Sequence, residues 1–318
     1  MKVFLAGATG AIGRPLVDRL LAAGHEVVGT TRTQERAARL RAAGAEPVVL
    51  DALDADALRA AVLAARPDVV VNELTDLSAP MDTRRYARWL AGTTRLRTEA
   101  TRTLLDAARA AGTRRIVVQS ITFVTAPAGP WVLDEEAPFN AAMPELSEPV
   151  AAMERSVVTA EGIEGLVLRY GYFYGPGTSI APGGQHAEMI RRRRLPVVGD
   201  GEARWSFVHV DDAAAATVLA LDGGGTGVLN VCDDEPAPLR EWLPGVAKLI
   251  GAPAPRRAPA WLAKVVAGPI AVHTAVAMRG ASNARAREQL GWAPARPTWR
   301  EGFAEVFADR PLSVRSPV

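Results

Sequence analysis

The sequence contains very little cysteine and lysine. Its single cysteine, Cys232, excludes an internal disulfide and a cysteine-based metal cluster, and is typical of a protein in a reducing compartment. Lysine occurs only at Lys2, Lys248 and Lys264, so 37 basic residues less these three leave 34 arginines. Chemistry that requires a side-chain amine between positions 3 and 247 is therefore excluded.

The net charge and the number of histidines are also low, which bears on nucleic-acid and metal binding. The 37 basic and 35 acidic residues give a formal net charge of +2, which argues against nucleic acid as the main ligand. The four histidines, His25, His186, His209 and His273, share no ligand spacing, so no metal site is expected. His186 is the best candidate among them to face a substrate. With 48% apolar side chains, the chain can still bury a large core.

Only one stretch, Ala258 to Met278, is apolar and nearly long enough to span a bilayer. Lys264 and the Gly268-Pro269 break lie inside it, so we expect a helix packed on the rest of the protein and no membrane span. The first predicted strand begins at Lys2, directly at the start of the sequence, which argues against a signal peptide. A cytoplasmic protein is expected.

Short apolar runs alternate with helical patterns along the first half of the chain. The strand candidates are Lys2–Ala6, Glu26–Gly29, Glu46–Leu50, Asp68–Val71, Arg115–Gln119 and Leu166–Arg169. Residues Ile12–Ala23 and Arg95–Ala111 have the 3.6-residue periodicity of helices. Strands separated by helices predict an α/β fold with a doubly wound parallel sheet, which is a Rossmann architecture.

The composition changes after Gly175 to loops rich in glycine and proline. A dinucleotide-binding domain is predicted over residues 1–175 plus 205–235. Residues 176–204 plus 236–318 are predicted to form a smaller, discontinuous substrate-binding lobe. The basic run Arg191–Arg194 in this lobe either meets a substrate diphosphate or, as we favour, is a solvated helix end.

A glycine-rich loop directly follows the first predicted strand. It consists of Gly7, Ala8, Thr9, Gly10, Ala11, Ile12 and Gly13, and a helical pattern begins at its end. Glycine permits the turn and lets the backbone approach a pyrophosphate, while the helix N-terminus offers free N–H groups and partial positive charge. The strand, turn and helix together predict a dinucleotide site.

The GxxGxxG spacing of this loop resembles that of the extended short-chain dehydrogenase/reductase family, which includes nucleotide-sugar epimerases and dehydratases. The resemblance continues, in order, through Leu50-Asp51, Leu168-Arg169-Tyr170-Gly171-Tyr172-Phe173-Tyr174-Gly175-Pro176, Phe207-Val208-His209-Val210-Asp211-Asp212 and Leu290-Gly291-Trp292. It implies a Rossmann fold and a nicotinamide cofactor. It further implies that the cofactor's adenine is read by Asp51 and Ala52, that its path is lined by Leu74, and that its nicotinamide lies along Tyr170, Tyr172 and Phe173.

The end of the second predicted strand favours NADP(H) over NAD(H). An NAD enzyme needs a carboxylate about twenty residues after the glycine loop, to accept hydrogen bonds from the ribose. Thr31 occupies this position and Arg32 follows it. A guanidinium pairs bidentately with a 2′-phosphate, so Arg32 is predicted to hold that phosphate, with Arg36 as a second candidate. A solvated surface arginine is the alternative.

The family's proton-transferring residues are missing from the chain. The resemblance implies a Tyr-xxx-Lys pair on a helix, but no lysine follows Lys2 until Lys248. In the corresponding helix, Leu146 and Val150, or Val150 and Glu154, occupy the two positions. The tyrosines of the chain are Tyr86, Tyr170, Tyr172 and Tyr174. No register of this helix restores the pair.

Hydroxyl and carboxyl groups remain near the expected reaction centre. Ser120 and Thr122 flank the position of the family's second serine, which Ile121 replaces, and they are the predicted catalytic residues. Capping of backbone at the strand end is the alternative role for both. Asn72 and Glu73, after the fourth predicted strand, are expected to face either the cofactor or solvent.

Three functions remain open for a chain with this cofactor site and no acid–base pair. The first is an NADPH-dependent ketoreductase for an aromatic ketone of polyketide or antibiotic biosynthesis, with the proton supplied by the substrate. The second is a non-catalytic NADP-binding sensor or partner protein, and the third is a nucleotide-sugar epimerase or dehydratase. A small-molecule ketone is the expected partner, and a homodimer is compatible with each function. The candidate aromatic walls of the pocket are Trp131, Phe139, Tyr172, Phe173, Trp205, Trp242 and Trp261.

Overall fold

The computed structural model describes residues 1–77, 79, 82, 85–261 and 272–308. A seven-stranded sheet lies at its centre, and all six strand pairings in this sheet are parallel. Its strands are β1 (Lys2–Ala6), β2 (Glu26–Thr31), β3 (Glu46–Val49), β4 (Val69–Asn72), β5 (Arg115–Ile121), β7 (Glu164–Tyr170) and β12 (Gly227–Val231). They follow the order β12-β7-β5-β4-β1-β2-β3, which confirms the predicted Rossmann architecture.

Shorter strands and the helices complete the described part of the chain. The short strands are β6 (Val132–Leu133), β8 (Tyr172–Tyr174), β9 (Val197–Val198), β10 (Arg204–Trp205), β11 (Phe207–His209), β13 (Ala237–Pro238), β14 (Arg257–Ala258) and β15 (Gly280–Ala281). The helices are α1 (Gly13–Ala22), α2 (Gln34–Ala43), α3 (Ala55–Ala65), α4 (Tyr86–Arg95), α5 (Thr101–Ala110), α6 (Pro144–Val158), α7 (Gln185–Arg191), α8 (Val210–Leu219), α9 (Leu239–Leu249), α10 (Ala284–Leu290) and α11 (Trp299–Ala308). Residues Leu96–Ala100 and His273–Ala277 are π-helical.

Both faces of the sheet are buried, which explains the continuous apolar runs of its strands. Side chains alternate across a strand, so Val69 and Val71 of β4 join the core beneath α1 and α8, while Val70 joins the core beneath α3 and α5. The two cores hold the sheet between helical layers and leave the ends of the strands for function.

The topology places a crevice at the C-terminal ends of β1 and β4. The chain runs from β1 through β2 to β3 on one side and then crosses to β4 on the other side of β1. Ligands of open α/β sheets bind where the strand order reverses in this way. Gly7 follows β1 and Glu73 follows β4, so both lie at this crevice.

A separate aromatic core lies beside the sheet and contains Tyr174, Trp205, Phe207, Trp242 and Phe303. Trp242 is 1% exposed within it and is therefore a core residue, whereas Trp261 is 69% exposed. The expectation that Trp242 is a pocket wall is wrong, because its side chain is enclosed in this aromatic core. The expectation that Trp261 is a pocket wall stays a prediction.

The structure tests the prediction for the arginine run Arg191–Arg194, but covers the apolar stretch Ala258 to Met278 only in part. Arg191–Arg194 are exposed at the end of α7, and Arg191 and Arg192 pair with Glu188, which confirms the solvated helix end. In the part of the chain that the structure describes, none of the helices has the length and apolar character of a membrane span. Lys264 and the Gly268-Pro269 break lie outside the described residues. The domain boundaries stay a prediction.

Candidate functional site

The glycine loop packs tightly against the end of β4. Gly7 has φ +93°, and a Cβ built on it would lie 2.8 Å from the carbonyl carbon of Glu73. A Cβ on Gly13 would overlap the Gly7 carbonyl oxygen. Gly10 differs, because it is exposed and its Cβ would meet only the Gly7 oxygen, at 3.3 Å. Gly7 and Gly13 therefore shape the loop, and Gly10 leaves the exposed side of the loop without a side chain.

The N-terminus of α1 has the donors that a pyrophosphate needs. Ile12 precedes the helix without a side-chain cap. The Arg14 N–H donates to the Gly10 carbonyl at 3.3 Å, and Pro15 has no N–H. The backbone N–H groups of Ala11 and Ile12 therefore remain for a ligand. Thr9 lies in the same loop, with its hydroxyl 3.4 Å from that of Thr31. Arg14, which the sequence argument did not single out, directs its Nε to the Gly10 carbonyl at 3.4 Å. The loop fits a dinucleotide.

The end of β2 presents two arginines beside a buried threonine. Thr31 is 4% exposed, whereas the side chain of Arg32 is 59% exposed. Among the described residues, Arg32 forms a long ion pair with Asp76, whose Oδ1 lies 4.0 Å from Nη1 of Arg32. Arg36 is also exposed, in the first turn of α2. Both guanidinium groups are thus accessible at the position where a 2′-phosphate would be read.

The residues expected near the adenine and along the cofactor also border the crevice. Asp51 is exposed after β3, and its carboxylate accepts a hydrogen bond from the Leu53 N–H at 3.0 Å, while Ala52 is buried. Leu74 is half-buried after β4 and has both backbone groups bonded. Its N–H donates to Asn72 at 3.1 Å, and its carbonyl accepts from Gln119 at 2.9 Å.

Glu73 is buried beneath the glycine loop, with only 5% of the residue's surface exposed. The Tyr170 hydroxyl donates to one carboxylate oxygen at 3.0 Å and lies 2.7 Å from the Thr217 hydroxyl. The other oxygen has no partner among the described residues. Burial raises the pKa of Glu73 to about 8. The carboxyl group therefore holds a proton near neutral pH.

The alternative that Asn72 and Glu73 face solvent is wrong for both. Asn72 points to the opposite face of the sheet, where its amide donates to the Thr101 hydroxyl at 3.0 Å. Tyr170, the partner of Glu73, is 1% exposed, so its ring lies in the core and not at the crevice surface. Tyr172 and Phe173 are half-buried and remain accessible there.

A buried ion pair occupies the region where the resemblance places the acid–base pair. Glu154 of α6 accepts hydrogen bonds from Nε and Nη2 of Arg169, at 2.8 and 2.6 Å. The Ser120 hydroxyl donates to the same carboxylate at 2.6 Å. All three residues are at most 4% exposed. Ser120 is thus engaged by a charged neighbour, which sequence reasoning missed because the partners lie 34 and 15 residues apart.

Thr122 and the aromatic residues after it lie closer to the crevice. Thr122 is 4% exposed, and its N–H donates to the Tyr170 carbonyl at 3.0 Å. Phe123 stacks on Tyr172 with ring centroids 4.2 Å apart, and Trp205 lies at the same distance from Tyr172. Phe123, Tyr172 and Trp205 therefore form a continuous group of aromatic rings, which we call the aromatic wall.

A parallel sheet with a glycine-rich loop at its switch point defines a dinucleotide-binding α/β protein. Residues 3–232 match the NAD dependent epimerase/dehydratase family, and the chain belongs to that family. This confirms the resemblance seen in the sequence.

Similar proteins include reductases of specialised metabolism. The chain is 48% identical over 308 residues to a 3-diazoavenalumate denitrifying reductase of Streptomyces sp, which covers 95% of this chain and 99% of that protein. It is 28% identical over 249 residues to the 4-hydroxy-2-methyl-3-oxo-4-farnesyl-3,4-dihydroquinoline-1-oxide ketoreductase of Stigmatella aurantiaca, covering 76% and 71% of the two chains.

The structure of human epimerase family protein SDR39U1 (isoform 2) with NADPH superposes with a TM-score of 0.76 at 22% identity, covering 98% of this chain and 100% of that one. This likeness shows the fold. Taken with the family and the reductase relatives, the protein is an oxidoreductase that uses a nicotinamide cofactor.

Proposed function

We propose that this protein is an NADP(H)-dependent reductase that replaces the diazonium group of an aromatic substrate with hydrogen. The observation that carries the proposal is the Glu154–Arg169 ion pair, which stands with Ser120 where the family's proton-transferring residues are expected. A site without a free acid suits a reaction that consumes no proton. The similarity to a denitrifying reductase over nearly the whole chain supports this choice.

The chemistry of the leaving group explains why no acid is required. When bound, the reduced nicotinamide supplies a hydride. The net exchange converts an arenediazonium cation and a hydride into the arene and N₂, so the carbon–nitrogen bond breaks and its electron pair leaves with N₂. A ketone instead becomes an alkoxide and must take up a proton. The residues of this chain then have only to bind, orient and shield the reactants.

The described residues have distinct parts in this proposal. The backbone of the glycine loop, with Thr9 and Arg14 beside it, would hold the pyrophosphate. The adenosine end would contact Asp51, Ala52, Arg32 and Arg36, and the middle of the cofactor would pass Leu74. Tyr172 and Phe173 would border the nicotinamide and the flat substrate ring. Ser120 and Thr122 would keep their segment in place without transferring a proton.

The test uses purified protein, NADPH and 2-hydroxybenzenediazonium labelled with ¹⁵N. Deuterated NADPH should place deuterium on the ring carbon that carried nitrogen, with release of ¹⁵N₂, both measured by mass spectrometry. Ser120→Ala and Thr122→Val should each slow turnover by less than about a hundredfold, below the usual contribution of an acid or base. Gly10→Val, whose side chain would fill the ligand position, serves as the control for cofactor-dependent turnover.

Ketone reduction is the second candidate, because one relative is a ketoreductase. It would be favoured if aromatic ketones were reduced and the diazonium were not. In that case methylation of a phenol beside the ketone should abolish reduction, since the substrate is the expected proton source. Tight NADP(H) binding without turnover of either substrate class would indicate the non-catalytic sensor instead.

We also propose that the cofactor is NADP(H), held by Arg32. Arg32→Ala should weaken NADP⁺ binding by about 1.5 to 3 kcal/mol, the contribution of a charge-assisted pair, and leave NAD⁺ binding nearly unchanged. Isothermal titration calorimetry with both cofactors measures this. Arg39→Ala is the matched control, because Arg39 is an exposed arginine of α2 already paired with Glu35. An equal loss for NADP⁺ and NAD⁺ would contradict the assignment.

A further inference from the structure

Two arginines lie over the indole ring of Trp131. The guanidinium carbon of Arg279 is 3.9 Å from the ring centroid, and that of Arg204 is 5.9 Å from it. His273 lies in the same segment as Arg279 and near enough for the charge of Arg279 to lower its pKa, so we include it in the group. We call these four residues the Trp131 cluster.

Neither arginine of the cluster is neutralised within the described ranges. Neither Arg204 nor Arg279 forms an ion pair with a described carboxylate. The Nη2 of Arg279 donates to the Pro127 carbonyl at 3.3 Å, but the Nε of each arginine is buried without an acceptor. Arg240 and Arg300 differ from these two arginines, because both pair with glutamates. Two buried N–H donors with uncompensated positive charge are costly to maintain unless a ligand satisfies them.

His273 adds a third buried donor to the cluster. A hydrogen bond fixes the orientation of the Asn140 side-chain amide, because its Oδ1 accepts from the Ala142 N–H at 3.0 Å. Its nitrogen therefore faces Nδ1 of His273, at 3.3 Å, and Nδ1 must accept. Burial and the charge of Arg279 lower the pKa of His273 to about 4, so the ring is neutral and its proton sits on Nε2. Nε2 has no partner among the described residues, and His273 is 7% exposed.

The cluster lies directly beside the aromatic wall of the crevice. Met278 precedes Arg279 and accepts a hydrogen bond from the Tyr172 hydroxyl through Sδ, at 3.9 Å. Trp205 follows Arg204 and packs against Tyr172, with the two ring centroids 4.2 Å apart. A ligand ring against Tyr172 would thus have a substituent within reach of the cluster.

We infer that the Trp131 cluster binds a carboxylate on the aromatic substrate. A carboxylate offers two coplanar acceptor oxygens and one negative charge, which suits donors from two guanidinium groups and one neutral imidazole. The inference rests on the proposed function only for the aromatic nature of the substrate.

The experiment measures binding of unreactive acids to the NADP⁺-loaded protein by calorimetry. trans-Cinnamate should bind at least about tenfold more tightly than trans-cinnamamide, its uncharged counterpart. Arg279→Gln should weaken cinnamate binding by about tenfold or more and leave cinnamamide within about twofold. Arg204→Gln should act in the same direction, which guards against a single misfolded variant.

Arg300→Gln is the matched control, because Arg300 stacks on Trp299 at 4.3 Å but is already paired with Glu235 and Glu241. It should leave cinnamate binding unchanged. Equal binding of acid and amide, or no binding of benzoate, cinnamate and 5-phenylpenta-2,4-dienoate, would overturn the inference. Arginine-dependent binding of benzyl phosphate but not of the acids would also overturn it and assign a phosphoryl ligand. Because no turnover is measured, these results are independent of whether a diazonium is reduced.

Discussion

Glu73 and Glu154 are equally buried glutamates with opposite surroundings. Glu154 receives two hydrogen bonds from Arg169 and one from Ser120, so its charge is matched and both its oxygens are occupied. Glu73 receives one hydrogen bond, from the Tyr170 phenol, and has no described cation against it. Burial raises the pKa of Glu73 to about 8. The presence or absence of one guanidinium thus separates the two sites.

The comparison shows where this protein keeps an exchangeable proton. The occupied site at Glu154 coincides with the region where the resemblance places the proton-transferring pair, and both of its carboxylate oxygens already accept hydrogen bonds. The protonated site at Glu73 lies beneath the glycine loop, in the core beside Thr217. A protonated carboxyl group is thus held in the core at Glu73, and not in the α6 region where the resemblance places the acid–base pair.

The largest expected effect comes from removing the cation of the first site. Arg169→Met should destabilise the fold by about 3 to 5 kcal/mol, because Glu154 would remain buried without its partner. Urea unfolding measures the loss. The double variant Arg169→Met/Glu154→Leu should recover most of it, since no charge is then left unpaired. If the single and double variants unfold alike, the ion pair is not what distinguishes the sites.

A smaller, pH-dependent effect is expected from the second site. Between the ordinary pKa of 4.5 and the raised value of about 8, the folded state keeps a proton on Glu73 that the unfolded state has lost. Stability contributed by this group therefore falls as pH rises, by up to about 1.4 kcal/mol per pH unit. From pH 5.5 to 7.5, the wild type should lose about 2 to 3 kcal/mol more than Glu73→Gln.

Unfolding free energies of the wild type and Glu73→Gln at the two pH values supply the measurement. Glu35→Gln is the control, because Glu35 is an exposed glutamate and should leave the pH slope unchanged. Parallel pH profiles for the wild type and Glu73→Gln would mean that Glu73 is already ionised in the folded protein. Glu73 and Glu154 would then differ only in their hydrogen-bond partners, and not in whether Glu73 holds a proton.

The sequence predicts the parts of this molecule that depend on local pattern. The glycine loop, the parallel sheet implied by alternating strands and helices, and the position of Arg32 after the second strand all follow from neighbours in the chain. The alternation of side chains does not reveal which buried polar group has a partner. Glu154 and Arg169 meet because α6 packs on the sheet, and Asn140 meets His273 across 133 residues. Such pairings depend on packing, so the Trp131 cluster and the engaged Ser120 could not be read from spacing.

β12 joins the sheet beside β7 although residues 171–226 separate the two strands in the chain. During translation, β7 therefore leaves the ribosome with one edge open, and that edge stays unpaired until Val231 has been synthesised. At about 5 to 20 residues per second, the delay is on the order of several seconds. An unpaired parallel edge is a template for association with other chains. A message truncated before Gly227 would consequently yield an aggregating product and not a smaller working domain.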